Sequence, residues 1–158
     1  MYNHAPQGYR CPFCLLVQGQ QDPHLYSNGD DIVYRDALVT ALISSHQWPK
    51  NHGNTLVIPA EHYENLYDLP LHFAPRMHDV IRAVALAMKS VWGCDGVSTR
   101  QHNEPGGGQD VWHYHVHVTP RYDEDAFYGT PREFMPAPQR AVYAHQLREA
   151  LRGWQPTP

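Results

Sequence analysis

The sequence has 158 residues, enough for one ordinary domain and too few for two full ones. Apolar residues make up 42% and charged residues 18%, a balance that supports a buried core and excludes wholesale disorder. Lys plus Arg is 12 against 16 Asp plus Glu, which leaves no basic excess for neutralising nucleic-acid phosphates.

Residues 1–10 read as a loose arm, and residues 11–158 as a single domain. The arm has no apolar signal core, and no apolar run approaches the roughly 18–20 residues of a membrane span, so a soluble cytoplasmic protein is expected. Cys11–Gly19 suits a turn and short helix ended by Gly19. Ser27–Asp30 reads as a turn, followed by strands over Ile32–Tyr34 and Ala37–Ser44. Gln47–Asn54 is polar and reads as a loop; Thr55–Ile58 is a short buried strand stopped by Pro59. From Pro75 to about Trp92, Met77, Val80, Ile81, Val84, Met88 and Val91 recur at spacings of three and four, which predicts an amphipathic helix ended by Gly93. Gly96–Asn103 suits the next strand, Glu104–Gly108 a tight loop, and Val111–Thr119 another strand. A second helix is expected over Ala141–Leu151, with Val142, Leu147 and Leu151 on one side. This order predicts an α+β domain with an antiparallel sheet.

His is unusually common, at 12 residues. Three of them, His113, His115 and His117, alternate through the last strand and so share one face, spread over ~13 Å. Trp112, Tyr114, Val116 and Val118 take the opposite face, suited to packing on a helix, and leave the His face open. Three readings fit the row: a solvated polar face, a metal-binding cluster, or a catalytic row in which one imidazole is nucleophile or base and its neighbours orient it or bind an anion. The glycines at 106–108, with Gln109 as an amide donor and Asn103 on the preceding strand, suit one wall of a phosphate site beside the row. Cys11 and Cys14 have C-x-x-C spacing, which fits a metal site, a redox pair or free thiols; Cys94 reads as a small buried thiol.

The string from His113 to Arg121, led by Gln109-Asp110-Val111 and by Asn103, resembles the histidine-triad (HIT) superfamily of nucleotide hydrolases and transferases. Cys11-Pro12-Phe13-Cys14 and the segment Thr55–His62 resemble segments common in bacterial members, so the resemblance covers roughly residues 11–125. It implies a HIT-like fold: about five antiparallel strands, two main helices, and pairing as a homodimer. It implies a nucleotide hydrolase in which His115 attacks the α-phosphorus of a nucleoside phosphoramidate, dinucleoside polyphosphate or related conjugate and forms a nucleotidyl-histidine. The backbone carbonyl of His113 would hold the His115 ring, and His117 would bind a phosphate oxygen or assist the leaving group. Asn103, Gly108 and Gln109 would cradle the phosphate, and Phe13 would contact base or ribose. The resemblance further implies a structural zinc on Cys11, Cys14, His62 and His113. A zinc-stabilised nucleotide-binding or scaffold protein with little turnover, or a nucleotidyltransferase, is the alternative. Galactose-1-phosphate uridylyltransferase relatives carry Gln at the place of His117, so His there resembles the hydrolase branch. Two positions depart from the pattern: Asn54 stands where members often have His, and Asp110 where some have Ser or Thr. The loop Ser44–Asn54 and the tail Tyr122–Gln139 are expected to shape the pocket. Within that tail, Pro131–Pro138 is read as a surface connection that would otherwise cover the site or meet a partner.

Overall fold

The computed structural model describes residues 2–20, 22 and 25–157. In chain order it has α1 (Pro12–Val17), β1 (Ile32–Arg35), β2 (Val39–Ile43), β3 (His46–Gln47), β4 (Thr55–Pro59), α2 (Phe73–Trp92), β5 (Gly96–Gln101), β6 (Val116–Arg121), β7 (Glu133–Phe134) and α3 (Ala137–Ala150). Five strands form one sheet in the order β1-β2-β4-β6-β5, and every neighbouring pair is antiparallel. The expected α+β architecture with two long helices is therefore present. Among the described residues, no helix is long and apolar enough to cross a membrane.

Strand alternation sorts side chains to two different cores. Val39, Ala41, Ile43, Val57, Val116 and Val118 face α2 and α3, where they meet Phe73, Met77, Val80, Val84, Met88, Ala144 and Leu147. Leu42, Leu56 and Ile58 face the other way, against Cys11, Phe13 and Leu16 of the α1 region. Because His117 stands opposite Leu56 in the β4–β6 ladder, the histidine row belongs to the α1 side. The α2 stripe holds for Met77, Val80, Val84 and Met88, but Val91 falls at the exposed margin, where Ala83 and Ala87 complete the buried face. Gly93 ends the helix in the left-handed region at φ 59°, as a terminal glycine should.

Three expectations need correction. The last strand begins at Val116, so His113 and His115 lie before it. On one side β5 ends with Gln101 opposite Val116; on the other β4 runs on through Ile58 to Pro59, which has no N–H and whose carbonyl is occupied by the His113 ring, so the ladder is not continued. Val142 is exposed; α3 instead buries Arg140, Ala144 and Leu147. Residues 2–10, read as a loose arm, lie along the body. Ala5 N–H donates to Glu64 at 3.2 Å, the Asn3 side chain accepts from Asn65 at 2.8 Å, and the Trp112 N–H reaches the Tyr9 hydroxyl at 3.2 Å.

A feature with no sequence signal is the two-stranded ladder of β3 and β7, with His46 opposite Phe134 and Gln47 opposite Glu133. It ties the tail to the loop that follows β2. Arg140 anchors the same tail: its guanidinium makes a bidentate pair with Asp31 at 2.9 Å on each arm and also donates to the Met135 and Tyr26 carbonyls. Both partners of the pair are fully buried. A buried pair is costly to break on one side, since the remaining charge has no water. Arg140→Ala should therefore lower stability by about 3–5 kcal/mol in urea unfolding, whereas replacing both partners by apolar residues, Asp31→Leu with Arg140→Met, should cost clearly less.

Candidate active site and metal site

His113, His115 and His117 are all buried, at 0%, 2% and 4% exposure, so the face expected to be open is covered. The α1 segment covers it: the Phe13 ring stands edge-on to His113 and His115, each 5.7 Å away between ring centres. Beside the row lies a cavity of about 490 Å³. Phe13, Leu15, Leu25, Leu56 and Val111 give it an apolar part; Ser44, Ser45, His46, Asp110, His115, His117 and Arg132 give it a polar end. A few polar groups in an apolar cleft is the usual form of a small-molecule site.

His115 Nδ1 lies 2.7 Å from the His113 carbonyl oxygen, which only accepts, so Nδ1 carries the proton. Nε2 therefore holds the free lone pair. Asp110 Oδ1 lies 3.7 Å from that atom, and Asp110 Oδ2 accepts from Arg132 at 2.8 Å. His117 Nδ1 lies 3.3 Å from both Oδ1 and Nδ2 of Asn54; Oδ1 already accepts from the Thr119 hydroxyl at 2.9 Å, which leaves Nδ2 to donate to the ring. The amide at the position where a histidine is common thus still supports the third imidazole. Burial, above all, lowers the pKa values of His115 and His117. The Arg132 cation adds to the lowering at both; the His113 carbonyl and Asp110 oppose it at His115. Arg132 chiefly, through charge and hydrogen bond, holds the Asp110 carboxyl below its ordinary range against the opposing effect of burial.

Asn54 is delivered by the loop between β2 and β4. The Gln47 side chain, 2% exposed, organises that loop. Its Nε2 donates to the Ser44 and Asn54 carbonyls at 2.7 and 3.0 Å, and its Oε1 accepts from Gly53 and Asn54 N–H at 3.0 and 2.8 Å. Gly53 has φ 101°, and an added Cβ would sit 2.4 Å from the Trp92 ring, so only glycine fits.

The expected phosphate cradle is arranged otherwise. Asn103 pairs with Gln101 and accepts from Leu66 N–H at 2.8 Å; Gln109 donates to the Glu64 and Val111 carbonyls and accepts from Glu104 N–H. These side chains brace the glycine loop from behind, and Asn103, Gly108 and Gln109 do not line the cavity. Phe13, His115 and His117 do. Ser45, His46 and Arg132 line it from the two segments expected to shape the pocket, Ser44–Asn54 and Tyr122–Gln139, though the sequence did not single them out within those segments. Asp110 was noticed as a departure, but its pairing was not foreseen.

The four residues read as metal ligands come together. Cys11 Sγ, Cys14 Sγ, His62 Nδ1 and His113 Nδ1 all lie within 4.8 Å of one another. Cys11 Sγ and Cys14 Sγ stand 3.3 and 3.6 Å from His113 Nδ1, and Cys14 Sγ stands 3.3 Å from His62 Nδ1. A tetrahedron with Zn–S of ~2.3 Å and Zn–N of ~2.05 Å has S···N edges of about 3.5 Å, so the spacing fits. His113 Nε2 donates to the Pro59 carbonyl at 3.1 Å, which turns the Nδ1 lone pair toward the sulfurs. Burial pushes the Cys11 thiol up to about 12 and the His113 imidazolium down to about 3. A neutral imidazole is ready to ligate; the thiol needs a metal to take its proton's place.

A family model described as HIT domain matches residues 27–124. Protein hit of Bacillus subtilis (strain 168) is 32% identical over 119 residues, spanning 75% of this chain and 76% of that protein. Adenylylsulfatase HINT3 of Arabidopsis thaliana is 26% identical over 120 residues, spanning 75% of this chain and 56% of that one. Among solved structures, a Zn-bound histidine triad family protein from Mycobacterium smegmatis is similar with a TM-score of 0.72 at 28% identity, over 90% of this chain and 93% of that chain.

The hydrogen bonds above set both tautomers. Long-range ¹H–¹⁵N NMR at pH 7 should show both rings neutral, His115 protonated on Nδ1 and His117 on Nε2, and still neutral below the ordinary imidazole midpoint of ~6.5. Asn54→Ala should let the His117 tautomer mix while His115 stays unchanged.

Proposed function

The chain belongs to the HIT domain family, and on that premise we propose that it is a nucleotide hydrolase working through His115. The substrate class is a nucleoside phosphoramidate, dinucleoside polyphosphate or related nucleotide conjugate. The observation that carries this reading is the His115 ring itself: Nδ1 is fixed on the His113 carbonyl at 2.7 Å, so the nucleophilic lone pair is on Nε2, beside the cavity. Nε2 forms a bond to the α-phosphorus, the bond from phosphorus to the leaving group breaks, and the leaving group takes up a proton. Water then attacks the phosphorus, the N–P bond breaks, the water's proton passes to solvent, and nucleoside monophosphate leaves. The His113 carbonyl stabilises the positive charge that builds on the ring during attack. His117, with Asn54 beside its Nδ1, donates from Nε2–H to a phosphate oxygen or assists the leaving group, whose proton comes from solvent. The apolar part of the cavity, with Phe13, receives the nucleoside. Gln109, with Asn103, acts at one remove by bracing the loop that carries Asp110.

The relative named an adenylylsulfatase supports turnover at an adenylyl phosphorus. One feature favours a second reading, a nucleotide-binding protein with little turnover: the Asp110 carboxylate 3.7 Å from His115 Nε2 repels an incoming phosphate. Incubating the protein with adenosine 5′-phosphoramidate and with diadenosine tetraphosphate separates the two. AMP release that falls at least about a thousandfold in His115→Ala, with zinc content and melting temperature retained, establishes the hydrolase. Binding of AMP without release establishes the second reading.

The fit of Cys11, Cys14, His62 and His113 supports one structural zinc per chain, as does the zinc-bound relative. With all four positions taken by protein, zinc supplies folding energy and no open ligand position. Cys11 and Cys14 would fasten the α1 segment to His62 and His113, which keeps the Phe13 wall in place. The whole unit works as a single domain, by family likeness as a cytoplasmic homodimer. Elemental analysis should give one zinc per chain. Chelation should lower the melting temperature by several degrees, and His62→Ala should weaken zinc retention more than it slows AMP release.

A further inference from the structure

The cavity is nearly balanced in charge. Its charged lining groups are two close ion pairs, Arg10 with Asp22 at 2.9 Å and Arg132 with Asp110 at 2.8 Å. A nucleotide phosphate brought to His115 Nε2 arrives beside the Asp110 carboxylate, 3.7 Å from that nitrogen. Two unit charges at ~4 Å repel strongly even at the effective dielectric of a protein surface. The cation already in contact with that carboxylate is Arg132.

Arg132 does not reach this place as a loose surface side chain. It precedes β7, whose residues pair with His46 and Gln47 at the cavity rim, and the Met135 N–H donates to the Ser45 carbonyl at 2.9 Å. Arg140 then locks the far side of the strap to Asp31. The guanidinium lies 5.5 Å from the centre of the Trp48 ring, and Trp48 is itself 6.3 Å from His117. The Arg132 side chain remains about one-third exposed and makes no contact with the buried Arg140–Asp31 pair that anchors the strap.

We propose that Arg132 is a substrate-binding residue: the C-terminal strap holds it over the cavity beside Asp110, and its guanidinium takes the nucleotide phosphate when substrate enters. This rests on the nucleotide reading of the His115 site and goes beyond it by naming a residue outside the histidine motif. Arg132 makes charge-assisted, geometrically matched bonds to phosphate oxygens. Asp110 is then the counter-ion that keeps the guanidinium aimed at the site and sets the cost of admitting an anion.

The test compares AMP with adenosine, which differ only in the phosphate, by calorimetric titration of the full chain. Arg132→Gln should weaken AMP binding at least about tenfold and move adenosine binding less than about twofold. Arg132→Lys should recover part of the loss, because it restores charge without the planar fork. Asp110→Asn should shift the AMP/adenosine ratio in the opposite direction, since it removes a repelling charge and releases the guanidinium. A role of Arg132 limited to holding the strap would weaken both ligands alike. An AMP/adenosine ratio unchanged by Arg132→Gln, in a wild-type protein that binds both, overturns the proposal alone. Failure of the wild type to bind AMP overturns it together with the nucleotide reading.

Discussion

The hydrogen bond from His115 Nδ1 to the carbonyl of His113, 2.7 Å long, is the constraint on which the site rests. A backbone acceptor aims the ring, so the position of Nε2 is only as good as the position of residue 113. That residue is held from three directions. Its Nε2–H donates to the Pro59 carbonyl, its Nδ1 meets the two sulfurs, and its carbonyl accepts from His115. All of this occurs at zero exposure, where an unpaired polar group is expensive. The same residue therefore serves the cysteine–histidine cluster through its side chain and the reactive ring through its backbone. Catalytic geometry tolerates errors of well under 1 Å, and sharing one rigid residue between two sites meets that tolerance with few parts.

The remaining walls of the cavity come from distant parts of the chain and are fastened by different physics. The α1 wall is an apolar layer, with Phe13 and Leu16 packed on Leu42, Leu56 and Ile58. The loop carrying Asn54 is a polar construction in which one buried amide, Gln47, makes four hydrogen bonds and leaves none of its capacity unmet. The strap carrying Arg132 depends on a two-residue ladder and a buried ion pair. Only the apolar wall would keep its form after loss of a single polar contact; the other two depend on every partner being present.

That difference explains how much could be read from residues alone. The α2 stripe and the short buried strands are periodic patterns that survive translation into structure; the alternation of His113, His115 and His117 survives only in part, because β6 begins at Val116. The cysteine–histidine set is also legible, because its ligand types and C-x-x-C spacing leave few alternatives once the family resemblance is recognised. The strap was not legible. Glu133–Phe134 is too short to show alternation, and Pro131–Pro138 looks like connection. Burial of Arg140 contradicts composition rules until Asp31 is found 109 positions away in the chain. The histidines looked open because nothing local shows that α1 folds back over them. Asn103 and Gln109 were plausible phosphate donors by type, but in the fold Asn103 donates to the Gln101 side chain and Gln109 to the Glu64 and Val111 carbonyls, a competition that sequence does not display.

Cys11 and the histidine nitrogen it touches are separated by 102 positions. A ribosome adding ~5–20 residues per second leaves about 5–20 s between making the thiols and making His113. His62 follows Cys14 by 48 positions and is made near the middle of that interval, so His113 is the last member of the set to appear. Until it is added, the two thiols lack the one nitrogen that both of them meet in the finished fold.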